Sequence, residues 1–253
     1  MKKILSAAVL AMALSGVTSA ADITVSAAVS LKESFEAIGK LYEEKNPSDK
    51  VDFNFGASGS LLQQIKNGAP VDVFASADLK SMKDDEEANL VLDNKSTIFV
   101  KNDLVAIVPI TSDKTIENLD DLKKDDFKQI ALGNPDTVPA GRYTYGALKA
   151  AGIDEDIKDK LIYSQNVRQA LEYVASGHVD IGFVYATDAQ TQEGDKTKRV
   201  YVVDLESPVL YPIAVIANST EKEAAQKFVD LVVSEEGQAI LNKSGFANPP
   251  KAE

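Results

Sequence analysis

Four short stretches hold most of the polar groups that could meet a ligand: "AAVSLKE" (27–33), "FGASGSL" (55–61), "NPDTVPAGRY" (134–143) and "SQNVRQA" (164–170). Each is built from small or hydroxylated residues, and each ends where a helical pattern begins. A helix start carries backbone N–H groups with no partner in their own helix and the positive end of the helix dipole. Such a start can hold an anion without a cationic side chain, and a serine hydroxyl beside it adds one more donor. The competing reading is ordinary capping. Ser30 with Glu33 and Ser60 with Gln63 both fit the S/T-x-x-E/Q capping box, and Ser58 is a further capping candidate.

Catalysis has little to work with. His178 is the only histidine; it follows Gly177 and precedes a strand pattern, which suits a surface turn. A hydrolase using Ser58 or Ser60 with His178 is the enzyme reading to test. There is no G-x-S-x-G elbow, no H-E-x-x-H metal signature, no phosphate-binding loop and no cysteine. Asp72, Asp78 and Asp188 are read as solvated surface carboxylates, as expected in so acidic a chain. No bare metal cation, cofactor or catalytic residue is assigned, and a binding protein is the better class.

The elements that must position those stretches alternate strand and helix. Strand patterns lie at 23–28, 51–55, 71–76, 96–100, 104–110, 128–135, 179–185, 199–204 and 210–216. Helical patterns lie at 31–46, 61–68, from Leu79, and at 139–152, 166–177 and 220–234. Pro139 opens one helix and Gly152 stops it; Asn166 caps the next and Gly177 stops it; Thr220 and Glu223 form a capping box for the last. Alternation of this kind predicts α/β layers with mainly parallel sheets. Nothing resembles a linker, so two domains must be joined by strands, with crossings near Val100–Leu104 and Ser207–Tyr211. Domain I is then 21–102 plus 211–253, and domain II is 103–210. No internal repeat is visible.

Lys2 and Lys3, the apolar run Ile4–Leu14 and the small residues "SGVTSAA" form a signal peptide, 1–20, cleaved after Ala20 or Ala21. The protein is expected to be periplasmic, soluble and untethered. With no disulfide available, the core alone must hold the fold. The formal charge of -12 argues against a nucleic-acid partner, and it poses a puzzle, because such a surface repels small anions.

The blocks "ITVSAAVSL" (23–31), "FGASGSLLQQIKNGAPVDVFASAD" (55–78), "GNPDTVPAGRYTYGAL" (133–148), "VRQAL" (167–171), "IGFVYATDA" (181–189) and "YPIAV" (211–215), in this order and spacing, resemble the periplasmic molybdate-binding proteins of ABC transporters, the ModA family. The resemblance covers nearly the whole mature chain. It implies a periplasmic binding protein fold (type II-like), two α/β domains joined by hinge strands and closing over ligand. It implies capture of molybdate, and of tungstate, for a membrane permease by a monomeric carrier. It implies an oxyanion held by the hydroxyls of Ser30, Ser58 and Tyr185 and by backbone N–H groups at the serines, Ala140 and Val167. Val29 departs from the family, where a small residue is usual. The alternative on the same fold is another tetrahedral oxyanion, sulfate or thiosulfate.

An all-donor cage suits an oxyanion with no proton and rejects hydrogen phosphate, whose proton it leaves unpaired. Sulfate, of the same charge, is excluded only by size. Screening within about 8 Å lets local dipoles outweigh a distant negative surface. Arg142 and Arg168 flank two of the four stretches and are read as surface residues.

Overall fold

The computed structural model describes residues 20–249, so nearly all of the expected signal peptide lies outside the described residues. The chain runs β1 (Asp22–Ala28), a 3-10 turn (Val29–Leu31), α1 (Lys32–Lys45), β2 (Lys50–Gly56), α2 (Ser58–Lys66), β3 (Val73–Ala75), α3 (Leu79–Glu87), β4 (Thr97–Asn102) and β5 (Leu104–Pro109). It continues β6 (Ile130–Gly133), α4 (Pro139–Ala150), α5 (Asp154–Ile157), β7 (Leu161–Ser164), α6 (Val167–Ala175), β8 (Ile181–Tyr185), α7 (Ala186–Gln190), β9 (Thr197–Val202), β10 (Val209–Val215), α8 (Lys222–Val233) and α9 (Glu235–Lys243). Among the described residues no helix is long and apolar enough to cross a membrane.

Two five-stranded sheets form, in the orders β2-β1-β3-β10-β4 and β7-β6-β8-β5-β9. Both are mixed. In the first, β1 pairs in parallel with β2 and β3, while β10 runs antiparallel to β3 and β4. In the second, β6 pairs in parallel with β7 and β8, while β5 runs antiparallel to β8 and β9. The antiparallel strands arise because the chain passes from one sheet to the other through β4 into β5, and returns through β9 into β10. Each crossing strand pair belongs to two sheets, and it is these exchanges, without a separate linker, that join the halves.

Local chemistry explains most helix ends. Pro139 sits at the first position of α4, where its missing N–H costs nothing, and Gly152 beyond its end takes φ +70. The Asn166 side chain accepts the Gln169 N–H at 2.9 Å to open α6, and Gly177 closes it at φ +71. The capping boxes do not form. α8 starts at Lys222 with no side-chain cap, and Ser219 instead accepts the Glu221 N–H at 3.0 Å. α2 starts at Ser58 after Ala57, so Ser60 lies too far inside to cap it. β7 is only four residues long, too short for alternation to declare it.

The first sheet is covered by α1, α8 and α9, with Phe35 at the centre of an aromatic cluster within 5.9 Å of Phe99 and Phe228 and 6.4 Å of Phe53. A second cluster of Leu61, Leu62, Ile65, Phe74 and Met82 lies under α2 and α3. Together these fix the starts of α1 and α2 at the carboxyl edge of the parallel strands. α4 and α6 pack on the second sheet and do the same for its carboxyl edge. In open α/β sheets that edge is where ligands bind.

Candidate functional site

The two carboxyl edges face each other across a small cavity, about 200 Å3 of space between atoms that is partly open to solvent. Its wall is Ala28, Val29, Ser30, Gly56, Ala57, Ser58 and Ala77 from one half, and Val138, Pro139, Ala140, Val167 and Tyr185 from the other. All five residues expected from the sequence therefore line one cavity, drawn from four helix starts and the end of β8. No Lys, Arg, Asp or Glu is among the lining residues, and the polar groups present are hydroxyls and backbone amides.

Each group can be placed by its position. Ser58, Ala140 and Val167 occupy the first or second residue of α2, α4 and α6, where an N–H has no acceptor within its own helix. Ser30 sits in the middle of the tight turn before α1. It is not a cap: α1 has no side-chain cap, and Glu33 is engaged elsewhere. Ser30, Ser58 and Tyr185 are buried, at 3%, 0% and 1% exposure, so their hydroxyls must find partners inside.

Those partners set the direction of each hydroxyl. Ser58 Oγ accepts the Ala77 N–H at 3.0 Å, which leaves its own hydrogen for the cavity. Tyr185 reaches across the cleft and donates to the Ala77 carbonyl at 3.2 Å. Burial pushes the Tyr185 phenol well above its ordinary value, with nearby Tyr211 adding to the rise, so it keeps its proton as a donor. Ser30 Oγ lies 3.0 Å from the hydroxyl of Tyr211.

The cleft is shut by contacts that linear sequence does not announce. The Gly59 N–H donates to the Thr137 carbonyl at 3.0 Å, backbone to backbone across the two halves. Arg142 Nε pairs with Asp78 at 3.0 Å, and its Nη1 donates to the Pro135 carbonyl at 2.7 Å. Arg168 reaches Glu33 with two bonds, at 3.0 and 2.7 Å, and also binds Asp188. Both arginines thus leave the surface role expected of them and straddle the cleft, one on α4 and one on α6. Neither touches the cavity, because each points away from the N–H groups that line it.

The carboxylates need the same correction. Asp72, Asp78 and Asp188 are all buried. Asp72 accepts from the Thr24 N–H at 2.8 Å and Ser219 at 2.6 Å; Asp78 caps α3 through the Ser81 N–H at 3.0 Å. Burial pushes Asp188 up to about 6, with Arg168 working against that rise. Most of the partners lie far along the chain, which is why composition misread these carboxylates.

His178 does sit in a turn, exposed, with Nδ1 2.5 Å from Ser176 Oγ. It precedes β8, whereas Tyr185 ends it. At roughly 3.3 Å per strand residue those two ends are about 15 Å or more apart, so His178 cannot serve Ser58 or Ser60 as a base. Among the described residues no group of three or more His, Cys, Asp or Glu side chains could hold a metal ion.

Comparison with known proteins fits this architecture. Residues 23–247 match the family model for bacterial extracellular solute-binding proteins. A Bacillus subtilis protein named as an ABC transporter substrate-binding lipoprotein is 34% identical, over 88% of this chain and 85% of its own. The molybdate-binding protein ModA of Haemophilus influenzae is 32% identical over 90% of each chain. Among solved structures, the substrate-binding domain assigned to a molybdenum ABC transporter of Clostridium difficile is 39% identical, with a TM-score of 0.68 over 90% of this chain and 99% of its own. The sulfate-binding protein SubI of Mycobacterium tuberculosis, at 19% identity and a TM-score of 0.81 over 91% of this chain and 88% of its own, shares the fold alone.

Proposed function

The chain belongs to the molybdate-binding protein family of bacterial extracellular solute-binding proteins, which are carriers and not enzymes, and from that premise we propose that it captures molybdate between its two halves and delivers it to an ABC transporter permease. Tungstate, alike in charge and shape, is the second cargo. The ligands are the hydroxyls of Ser30, Ser58 and Tyr185 and the backbone N–H groups at Ser30, Ser58, Ala140 and Val167. Residues 21–102 with 211–253 form one closing domain and 103–210 the other, and the carrier acts as a soluble periplasmic monomer.

The observation that carries this reading is the neutral, donor-lined cavity where four helix starts meet. A dianion there gains several charge-assisted hydrogen bonds in a largely buried site, each stronger than a neutral one. It also meets four dipole ends and no opposing carboxylate. The negative surface lies outside, screened within about 8 Å at physiological salt. Oxyanions that carry a proton find no carboxylate to accept it, and a smaller tetrahedron loses contact with donors fixed on rigid helices.

Melting the purified protein with molybdate, tungstate, sulfate and phosphate tests the proposal. At 100 times its dissociation constant a ligand adds about 2.7 kcal/mol, which at this size is a rise of roughly 5–10 °C. Molybdate and tungstate are expected to give that rise and phosphate none. An equal shift with sulfate, or none with molybdate, transfers the assignment to another oxyanion on the same fold.

A further inference from the structure

Behind Ser30 lies a buried polar chain that never reaches the cavity. Asn102, the last residue of β4, lies where the chain crosses between the sheets. Its Oδ1 accepts the Asp103 N–H at 2.9 Å. A backbone N–H can only donate, so this contact fixes which end of the amide is which. The Nδ2 end therefore faces Thr187 Oγ1 at 2.8 Å and the Tyr211 hydroxyl at 3.3 Å. An amide nitrogen can only donate, so Tyr211 oxygen accepts there. The phenol hydrogen is then committed to its other neighbour, Ser30 Oγ, at 3.0 Å. Ser30 in turn accepts on that side, and its own hydrogen has one direction left, into the cavity.

We propose that Asn102 and Tyr211 are positioning residues that set the proton direction of Ser30 and so make the site select oxyanions that carry no proton. This rests on the oxyanion-binding reading above and extends it to residues that touch no ligand. The chain is a one-way relay: Asp103 N–H orients the amide, the amide orients the phenol, and the phenol orients the serine. Each link is buried, with Asn102 at 6% exposure and Tyr211 at 0%, so no water is at hand to reverse it. Ser58 is locked as a donor independently, by the Ala77 N–H. A hydrogen phosphate ion in this cavity would meet, at Ser30 and Ser58, hydroxyls that can only donate to it. Molybdate has no hydrogen of its own.

Asn102→Asp is the reversing variant. A carboxylate offers only acceptors, so the Tyr211 hydrogen turns toward residue 102, the Ser30 hydrogen turns toward Tyr211, and a serine lone pair is left facing the ligand. The added charge repels every dianion alike, so the readout is a ratio. Affinity for molybdate is measured by calorimetry and affinity for hydrogen phosphate by its displacement of molybdate, both at pH 8. The ratio of the two is expected to fall at least tenfold in Asn102→Asp and less in Asn102→Ala, which removes the amide without reversing it. Tyr211→Phe keeps the ring packed against Phe99, Tyr185 and Phe246 and deletes only the oxygen. It frees Ser30 to rotate and is expected to lower the ratio about three- to tenfold, which keeps the test decisive if either Asn102 variant misfolds.

A ratio that stays constant while all affinities drop together would make these residues mere packing and overturn the relay. Failure of the wild-type protein to bind molybdate is a separate result that strikes the carrier assignment. In that case the same ratio is taken with sulfate as the unprotonated ion, and the relay stands or falls on it.

Discussion

The two halves of the molecule repeat one layout with different side chains at the cleft. In the first, β1 lies between β2 at the edge and β3 at the centre; in the second, β6 lies in the same way between β7 and β8. An antiparallel strand and an outer strand complete each sheet, β10 with β4 in one and β5 with β9 in the other. Matching junctions follow: the turn after β1 holds Ser30 where the turn after β6 holds Ala140, and the turn after β2 holds Ser58 where the turn after β7 holds Val167. The first half thus offers hydroxyls and N–H groups, while the second offers N–H groups at the equivalent places and adds one hydroxyl, Tyr185, at the end of β8. The fold itself supplies the backbone donors wherever a helix starts at the sheet edge. Hydroxyls are the part that sequence must add.

The sharpest way to break this comparison is to charge the hydroxyl side. Ser58→Asp sets a carboxylate against a dianion in a largely buried cavity, where like charges cost several kcal/mol. Affinity for molybdate is expected to fall more than 100-fold by calorimetry. Wild-type affinity in that variant would remove Ser58 from the site.

Next comes the seam between the halves. A methyl group on Gly59 would meet the Thr137 carbonyl oxygen at 2.7 Å and its Cα at 2.9 Å, and both are backbone atoms of the opposite half. Such a contact costs about 1–3 kcal/mol, but only in the closed form. Gly59→Ala is therefore expected to weaken molybdate binding roughly 5- to 150-fold while the ligand-free protein melts within about 2 °C of wild type. A matching loss of melting temperature without ligand would show that Gly59 serves folding of its own half instead of closure.

Within the matched junctions, Ser30→Ala removes a donor to charge, at about 1.5–3 kcal/mol of affinity. Its counterpart in the other half, Val167→Ala, leaves the N–H in place. It is expected to shift affinity less than about threefold, with its cost appearing as a lower melting temperature from the lost packing of a buried side chain. Equal affinity losses in the two variants would mean that side chains, not backbone, carry the second half as well.

Much of this was legible because local chemistry wrote it. Pro139, Asn166, Gly152 and Gly177 mark helix ends within their own neighbourhoods, and apolar continuity marks β5. The resemblance to molybdate-binding proteins picked out five positions that the fold then brings into one cavity. What stayed hidden depends on pairs distant in sequence: Ser30 with Tyr211 is separated by 181 positions and Asn102 with Tyr211 by 109. The repeated layout was hidden too, because it resides in strand order and not in residue identity. The serines admitted a capping reading beside the ligand one for a related reason, since a hydroxyl just before a helix looks the same whether it turns back to the helix or forward to a ligand. Arg142 and Arg168 look like surface residues until a second half is closed against them.

The smallest expected effect compares one buried carboxylate from each half. Asp85, on α3, is fully buried with neither oxygen paired, and burial pushes it up to about 6. Asp188, on α7, is raised to about 6 by the same cause, but Arg168 lies against it. For a carboxyl raised from 3.8, the folded state holds a proton that the unfolded chain has released. Stability is therefore greatest below pH 3.8, declines toward pH 6 and is flat above it. The Asp85 rise corresponds to a ceiling of about 3 kcal/mol lost by neutral pH. Asp85→Asn removes that loss but leaves an unpaired amide, itself costing about 1–3 kcal/mol, so a net gain of about 1 kcal/mol is expected. Ligand-free melting should show the variant about 2–4 °C above wild type at pH 8, with the order reversed by pH 4, where the wild-type carboxyl is protonated and the amide cost remains. Asp188→Asn should do the reverse at pH 8, since it strips a half-buried guanidinium of one of its two charged partners. If both variants move the same way at pH 8, an unpaired buried carboxylate in one half and a paired one in the other are not the separate cases that their surroundings describe.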